Sequence, residues 1–215
     1  MLLLAFDTAT PAITAALHDG SAPLASRTVV DQRRHAELLV PSIDAVLREA
    51  GASRRDLTDV AVGVGPGPFT GLRVGLVTAR SLGHALGVAV HGLCTLDVLA
   101  WEYFGAGPFL AVTDARRREV YWASYRDRGT RLAGPAVALP HSVEDRGLPA
   151  VGYGAALYPD AFPDARPPQY PSAEALAGLA VARLRDGVPT GPPEPLYLRR
   201  PDARLPGPRK HVTPA

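Results

Sequence analysis

Residues 63–87, GVGPGPFTGLRVGLVTARSLGHALG, constrain the fold of this chain more than any other segment. They read as the end of a strand, a Gly/Pro loop and then a helix. On that helix Gly71, Gly75, Ala79, Gly83 and Gly87 recur every fourth position, which puts them on one face as a nearly smooth ridge. An interior glycine costs a helix about 1 kcal/mol relative to alanine, so Gly75 and Gly83 together cost roughly 2 kcal/mol. Close approach of another helix backbone is the expected compensation, with packing only inside the N-terminal lobe as the alternative. Replacing Gly75 or Ala79 by leucine is then expected to abolish a partner contact and leave the folded monomer intact.

The Gly/Pro loop invites comparison with phosphate-binding loops. A P-loop needs G-x-x-x-x-G-K-[ST], with its lysine on the phosphates. The run from Gly65 to Leu72 has neither that spacing nor a lysine. A dinucleotide fingerprint needs G-x-G-x-x-G, and here the third glycine falls one place late. Pro66 and Pro68 also remove two backbone donors from any cradle. Two readings remain: a rigid turn launching a helix capped by Thr70, or an anion site at that helix N-terminus aided by Arg73.

Before this segment, residues 2–6, 13–18 and 24–30 read as three strands. The run 2–6 has the continuous apolar character of a strand buried on both faces, and Asp19-Gly20 gives a tight hairpin. Residues 33–50 read as an amphipathic helix with Asp31 as cap and Gly51 as stop; Pro41 inside it implies a kink or a late start. Strands at 59–64 and 88–91 and a helix at 95–104 complete a β-β-β-α-β-α-β-α order. The second half begins again with strands at 109–113 and 120–125, a further strand near Val137, another at 150–152, and a helix at 172–185 capped by Ser172. A boundary falls at 101–107, giving lobes 1–103 and 104–215. From Gly187 prolines dominate, so the tail is expected to lie extended over the surface or to be disordered.

Composition removes several function classes. No apolar run approaches 18 residues, and the start MLLLAFDTAT lacks a basic region and stops at Asp7, so it reads as a strand rather than a signal peptide. Cys94 is the single cysteine; it reads as a packing thiol and fits a reducing compartment, so a cytoplasmic location is expected. The six histidines, His18, His35, His84, His91, His141 and His211, include no i, i+4 pair, so no helical metal site is expected. The net charge of +2 does not argue for nucleic acid. Residues 195–215 nevertheless carry a local +4, leaving −2 elsewhere. Arg116, Arg117 and Arg118 lie on a hairpin between Asp114 and Glu119 and read either as a phosphate or RNA contact or as a solvated charged turn. Tyr121, Trp122 and Tyr125 read as sheet packing.

Asp7-Thr8 stands between a buried strand and a hairpin, where sugar-kinase and actin-like folds keep an acidic residue and a hydroxyl near phosphate and Mg²⁺. With LLLAFDTAT (2–10), HAELLVPSID (35–44), residues 63–100, VTDARRREVYWASY (112–125) and PLYLRR (195–200), the chain resembles the bacterial TsaB, or YeaZ-like, family of tRNA threonylcarbamoyladenosine biosynthesis proteins. The long central block is the most specific of these segments.

That resemblance implies an α/β actin/Hsp70/sugar-kinase-like fold of two lobes, each with a mixed sheet and helices. It implies a non-catalytic scaffold that binds a TsaD-type catalytic paralogue and a TsaE-type ATPase. That complex transfers threonylcarbamoyl to N6 of adenosine 37 in ANN-decoding tRNAs. No catalytic residue, metal or intrinsic cofactor is expected, and ATP or ADP would bind only at the interface of the full complex. The first two helices would build that interface, through His35, Leu38, Leu39, Ser42, Ile43, Val46, Gly71, Val74, Gly75, Thr78, Ala79 and Leu82. The same surface would give a homodimer in isolation. Asp7, Thr8, Thr70, Arg73 and Asp114 would be remnants of a phosphate site, because Asp114 is followed by Ala115-Arg116 where the fold wants a glycine. Arg116, Arg117, Arg118 and the basic tail would be the tRNA contacts. An ATP-dependent small-molecule kinase and a metallopeptidase are the alternatives within the same superfamily.

Overall fold

The computed structural model describes residues 1–199; the charged and proline-rich positions from Arg200 onward lie outside the described residues. The first lobe is a five-stranded sheet. Strands β1 (Leu3–Asp7), β2 (Ala12–His18) and β3 (Pro23–Val30) form an antiparallel meander, and β4 (Asp59–Gly63) and β5 (Ala89–Leu93) add in parallel on the other side of β1. The order is β3-β2-β1-β4-β5. Every residue of β1 and β2 is buried, as a strand covered on both faces requires.

Alternation along β1 divides the core. Leu4 and Phe6 point toward helices α1 (His35–Glu49) and α2 (Phe69–Leu86), which bring Leu39, Ile43, Val46, Leu72, Leu76 and Ala79. Leu3 and Ala5 point the opposite way, onto Leu176, Leu179 and Ala180 of α5 (Ala173–Arg185). The last described helix therefore covers the first sheet, and the division at 103/104 is crossed by this element. Ser172 caps α5 by accepting the Ala175 N–H at 3.1 Å.

The second lobe repeats the plan. Strands β6 (Phe109–Asp114), β7 (Val120–Asp127) and β8 (Thr130–Ala138) are antiparallel; β9 (Ala150–Val151) and β10 (Ala165–Arg166) extend the sheet in parallel, in the order β10-β9-β6-β7-β8. Short helix α4 (Tyr153–Leu157) packs beside β6, and α3 (Thr95–Glu102) joins the lobes. Two sheets of the same order give the expected actin/Hsp70/sugar-kinase-like α/β architecture.

Several local expectations are corrected. Helix α1 starts at His35 and runs through Pro41 without a break. Asp31 is not its N-cap but shapes the turn ahead of it, accepting the N–H groups of Arg33 (2.8 Å) and Arg34 (3.0 Å). Thr70 does not cap α2: Pro68 holds the N-cap position, and Thr70 is exposed inside the first turn.

The glycine ridge of α2 meets the sheet and the β1–β2 turn, and touches another helix only where Gly71 faces the His35 ring at the start of α1. A Cβ on Gly75 would lie 2.6 Å from the Thr8 hydroxyl oxygen, one on Gly71 would lie 2.5 Å from the Thr8 carbonyl, and one on Gly83 would collide with Val90. Ala79 is fully buried in the same core. The ridge faces its own sheet and the β1–β2 turn, and Gly87 closes the helix in the left-handed region at φ 68°. Leucine at position 75 therefore attacks the fold rather than a partner contact. We expect Gly75→Leu to lower the unfolding free energy by about 3 kcal/mol or more, at the top of the overpacking range. Urea denaturation of the purified protein reads this directly; an unchanged midpoint would contradict the packing described.

Candidate functional site

Asp7 ends β1 and lies wholly inside the protein. Its Oδ1 accepts the Ala9 N–H at 2.5 Å, and its Oδ2 accepts the Thr95 hydroxyl at 2.7 Å. Thr95 in turn accepts the Gly65 N–H at 3.2 Å. A side chain at Gly63 would occupy the space of this carboxylate, so glycine there admits Asp7 to the interior. Burial raises the Asp7 carboxyl above its ordinary value of 3.8, against the lowering effect of these hydrogen bonds.

Thr8 is also turned inward. Its hydroxyl donates to the Gly71 carbonyl at 2.7 Å and accepts the Gly75 N–H at 3.0 Å. Those two groups are the i and i+4 partners of one helical turn, so the hydroxyl stands within the ladder of α2. His35 completes the knot: its Nε2 lies 2.8 Å from the Thr10 carbonyl, which only accepts, so that nitrogen carries the proton. The expected phosphate pair Asp7 and Thr8 thus has its polar atoms committed to the fold.

Opposite this turn, the hairpin between β6 and β7 carries Arg116, Arg117 and Arg118 with φ of 61°, 55° and 62°. Three successive left-handed residues without glycine cost on the order of 1–3 kcal/mol each. The turn is held by Asp114, whose Oδ1 accepts the Arg116 N–H at 2.8 Å, by the Ala115 N–H donating to the Glu119 carbonyl, and by the Glu119 N–H donating to the Arg116 carbonyl, each at 3.0 Å. Arg116 also reaches Gln32 of the first lobe at 3.3 Å.

Between the lobes runs a cleft of about 440 Å³, lined by Gly67, Pro68 and Phe69 on one side and Arg116, Arg117 and Tyr121 on the other. Its floor is the C-terminal segment. Gly191 pairs with Gly92, the Leu196 N–H donates to the Val64 carbonyl at 2.8 Å, and Tyr197 stacks on Phe69 with centroids 5.6 Å apart. Arg73 lies 3.7 Å over the Phe69 ring and donates to the Tyr197 hydroxyl at 3.0 Å. Arg199 donates to the Ala115 carbonyl at 3.0 Å and pairs with Glu119. This segment joins both lobes; up to Arg199 it lies extended, one of the two conditions expected from its prolines. Thr70, Thr10, Gln32, Arg33, His35 and Arg116 surround a neighbouring recess of about 240 Å³. Of the five expected phosphate-site residues, only Thr70 faces such a space with its hydroxyl uncommitted among the described contacts.

The expected interface residues divide in two. Leu39, Ser42, Ile43, Val46, Gly71, Gly75 and Ala79 are buried inside the lobe. His35, Leu38, Val74, Thr78 and Leu82 are half-buried at its surface. Beside them Val40 (45% exposed) and Val77 (62% exposed) line a groove of about 390 Å³ between α1 and α2, with Thr78, Ser81, Leu82 and Ala85. Val40 and Val77 lie outside the expected set; the i+3 and i+4 recurrence Val74, Val77, Thr78, Ser81, Leu82, Ala85 along α2 marks Val77.

Among the described residues no group of three or more His, Cys, Asp or Glu is placed to hold a metal, and no helix is long and apolar enough to cross a membrane. Cys94 is buried, and burial pushes its thiol up to about 11, as a packing thiol requires.

The family model described as TsaD, tRNA N6-adenosine threonylcarbamoyltransferase, matches residues 28–186. The tRNA threonylcarbamoyladenosine biosynthesis protein TsaB of Escherichia coli is 34% identical over 96% of this chain and 99% of its own length. An uncharacterized protein of Mycobacterium tuberculosis is 48% identical, covering 94% of this chain and 93% of that one. The solved structure of YeaZ from Pseudomonas aeruginosa superposes with a TM-score of 0.79 at 32% identity, covering 92% of this chain and 99% of that one.

The buried Asp7 gives a pH signature. A carboxyl raised on folding contributes stability below 3.8 that is lost as pH rises through its folded value. Asp7→Asn is expected to remove that decline, while its amide oxygen still accepts the Ala9 N–H. Unfolding free energies of both proteins between pH 3.5 and 7 check this; parallel profiles would contradict it.

Proposed function

This chain belongs to the TsaB, or YeaZ-like, family of tRNA threonylcarbamoyladenosine biosynthesis proteins, and from that premise we propose that it works as the non-catalytic scaffold of the modifying complex. It binds a TsaD-type catalytic subunit through the groove between α1 and α2, and a TsaE-type ATPase joins the pair. The complex acts on adenosine 37 of ANN-decoding tRNAs, and the cytoplasm is its place of work.

The observation that carries this reading is the contrast between the two faces of α2. Its small-residue face is locked onto Thr8 and the sheet, whereas its outer face leaves Val77 62% exposed beside Val40. These side chains give a partner helix an apolar surface to pack on. The transferase family model matches residues 28–186, so a partner of the same fold presents corresponding helices, and helix face can pack on helix face. In isolation the same groove supports a homodimer.

The sealed Asp7 and Thr8 support the absence of catalysis by this subunit. An independent kinase would need that pair open to phosphate and Mg²⁺, and each polar atom is already used within the fold. The recess at Thr70, Arg33 and Arg116 supports a narrower role for nucleotide, with ATP or ADP bound only in the assembled complex. Arg116, Arg117 and Arg118, held at the mouth of the cleft by a strained turn, suit contact with tRNA phosphates.

We expect Val77→Arg to weaken association with the catalytic subunit at least 100-fold, about 2.7 kcal/mol, and to leave the unfolding midpoint unchanged. Calorimetric titration of the two purified subunits measures this, and undiminished affinity would move the interface elsewhere. Reconstituted threonylcarbamoyl transfer at full rate without this protein would overturn the scaffold reading itself.

A further inference from the structure

Away from the cleft and from the groove of α1 and α2, the space between α3, α5 and the β7–β8 hairpin opens as a pocket of about 490 Å³. That size lies within the roughly 300–1,000 Å³ typical of small-molecule sites. Three guanidinium groups line it. Arg131 grips Asp97 through Nε (3.0 Å) and Nη2 (2.6 Å), and Arg183 reaches the same carboxylate at 3.1 Å. The Tyr125 hydroxyl donates to Asp97 at 2.8 Å, so this carboxylate is saturated. With Asp186 on the rim, the lining keeps a surplus of one positive charge.

Arg128 is the unusual member. Its guanidinium carbon lies 4.1 Å from the centre of the Trp101 ring and 4.3 Å from that of Phe104. Its Nε is buried without a hydrogen-bond partner, and no carboxylate pairs with it among the described residues. Phe104, which reaches the pocket only through its contact with Arg128, is 80% exposed. A stacked arginine without a carboxylate partner, two further guanidinium groups and an exposed aromatic ring match a phosphate with a base beside it.

We propose that this pocket binds a nucleotide unit, its phosphate on Arg128, Arg131 and Arg183 and its base on Phe104. The unit comes either from a free nucleotide or from an unpaired stretch of RNA. The RNA source rests on the scaffold reading above; the pocket itself does not.

Trp101 is one of only two tryptophans, so Trp122→Phe leaves a single reporter in the pocket. Titration of that full-length protein with AMP and with a short single-stranded oligoadenylate RNA should quench its fluorescence saturably. Quenching by AMP makes the free nucleotide a source; quenching by the RNA alone makes RNA the source. Arg128→Ala and, at an exposed position that cannot unfold the chain, Phe104→Ala should each weaken binding about tenfold. Arg128→Ala should also lower the salt dependence of RNA binding by about 0.7 in log–log slope. No saturable quenching by either probe, quenching unaffected by both substitutions, or quenching lost instead in Arg116→Ala would overturn the assignment. Transfer that proceeds without this chain would sink the scaffold reading yet leave quenching by AMP untouched.

Discussion

The hydroxyl of Thr8, set between the Gly71 carbonyl and the Gly75 N–H, fixes where α2 lies. A helix interior normally excludes a foreign side chain at that distance, because Cβ atoms keep neighbours away. Two glycines one turn apart remove that barrier, and the roughly 2 kcal/mol lost in propensity by interior glycines is offset by hydrogen bonds and close packing against the β1–β2 turn. Asp7, one residue earlier, is tied through Thr95 to the start of α3 and through its burial to Gly63 at the end of β4. Four elements therefore meet at one dipeptide. Residues that elsewhere in such folds would face phosphate here act as internal fasteners, and the helix they fasten presents its opposite side to solvent.

The cleft shows a related exchange of binding capacity for rigidity. Tyr197, Phe69 and Arg73 form a stack across its N-terminal wall, and Arg199 anchors the same segment to the hairpin of the second lobe. Lobes that open and close around a nucleotide need a free hinge, whereas here, after α5 has returned to the first lobe, the segment from Gly191 to Arg199 crosses between the lobes once more. The left-handed run at Arg116, Arg117 and Arg118 survives because Asp114, Glu119 and Gln32 hold it from three directions.

Much of this was legible in the sequence, for identifiable reasons. Strand β1 is a continuous apolar run, and Asp19-Gly20 marks the hairpin between β2 and β3. Ser172 announces α5. The glycine ridge correctly signalled close approach but could not name what approaches, since a periodicity of four identifies a face and not its neighbour. Thr8 is more than 60 positions away from Gly71, and no local pattern links them. For the same reason Leu39 and Val46 could not be told from Val40: all are apolar, and only the packed lobe separates inside from outside. Helix α4 and strand β10 span five and two residues, too short to carry a period.

Helix α5 has a consequence for biosynthesis. It covers the face of the first sheet formed by Leu3, Ala5, Ala61 and Leu93, yet it begins only at Ala173. The 80 residues between Leu93 and Ala173 take about 4–16 s to translate at roughly 5–20 residues per second. Throughout that interval the nascent first lobe has one side of its sheet bare. Its earliest strands are therefore among the last to find shelter.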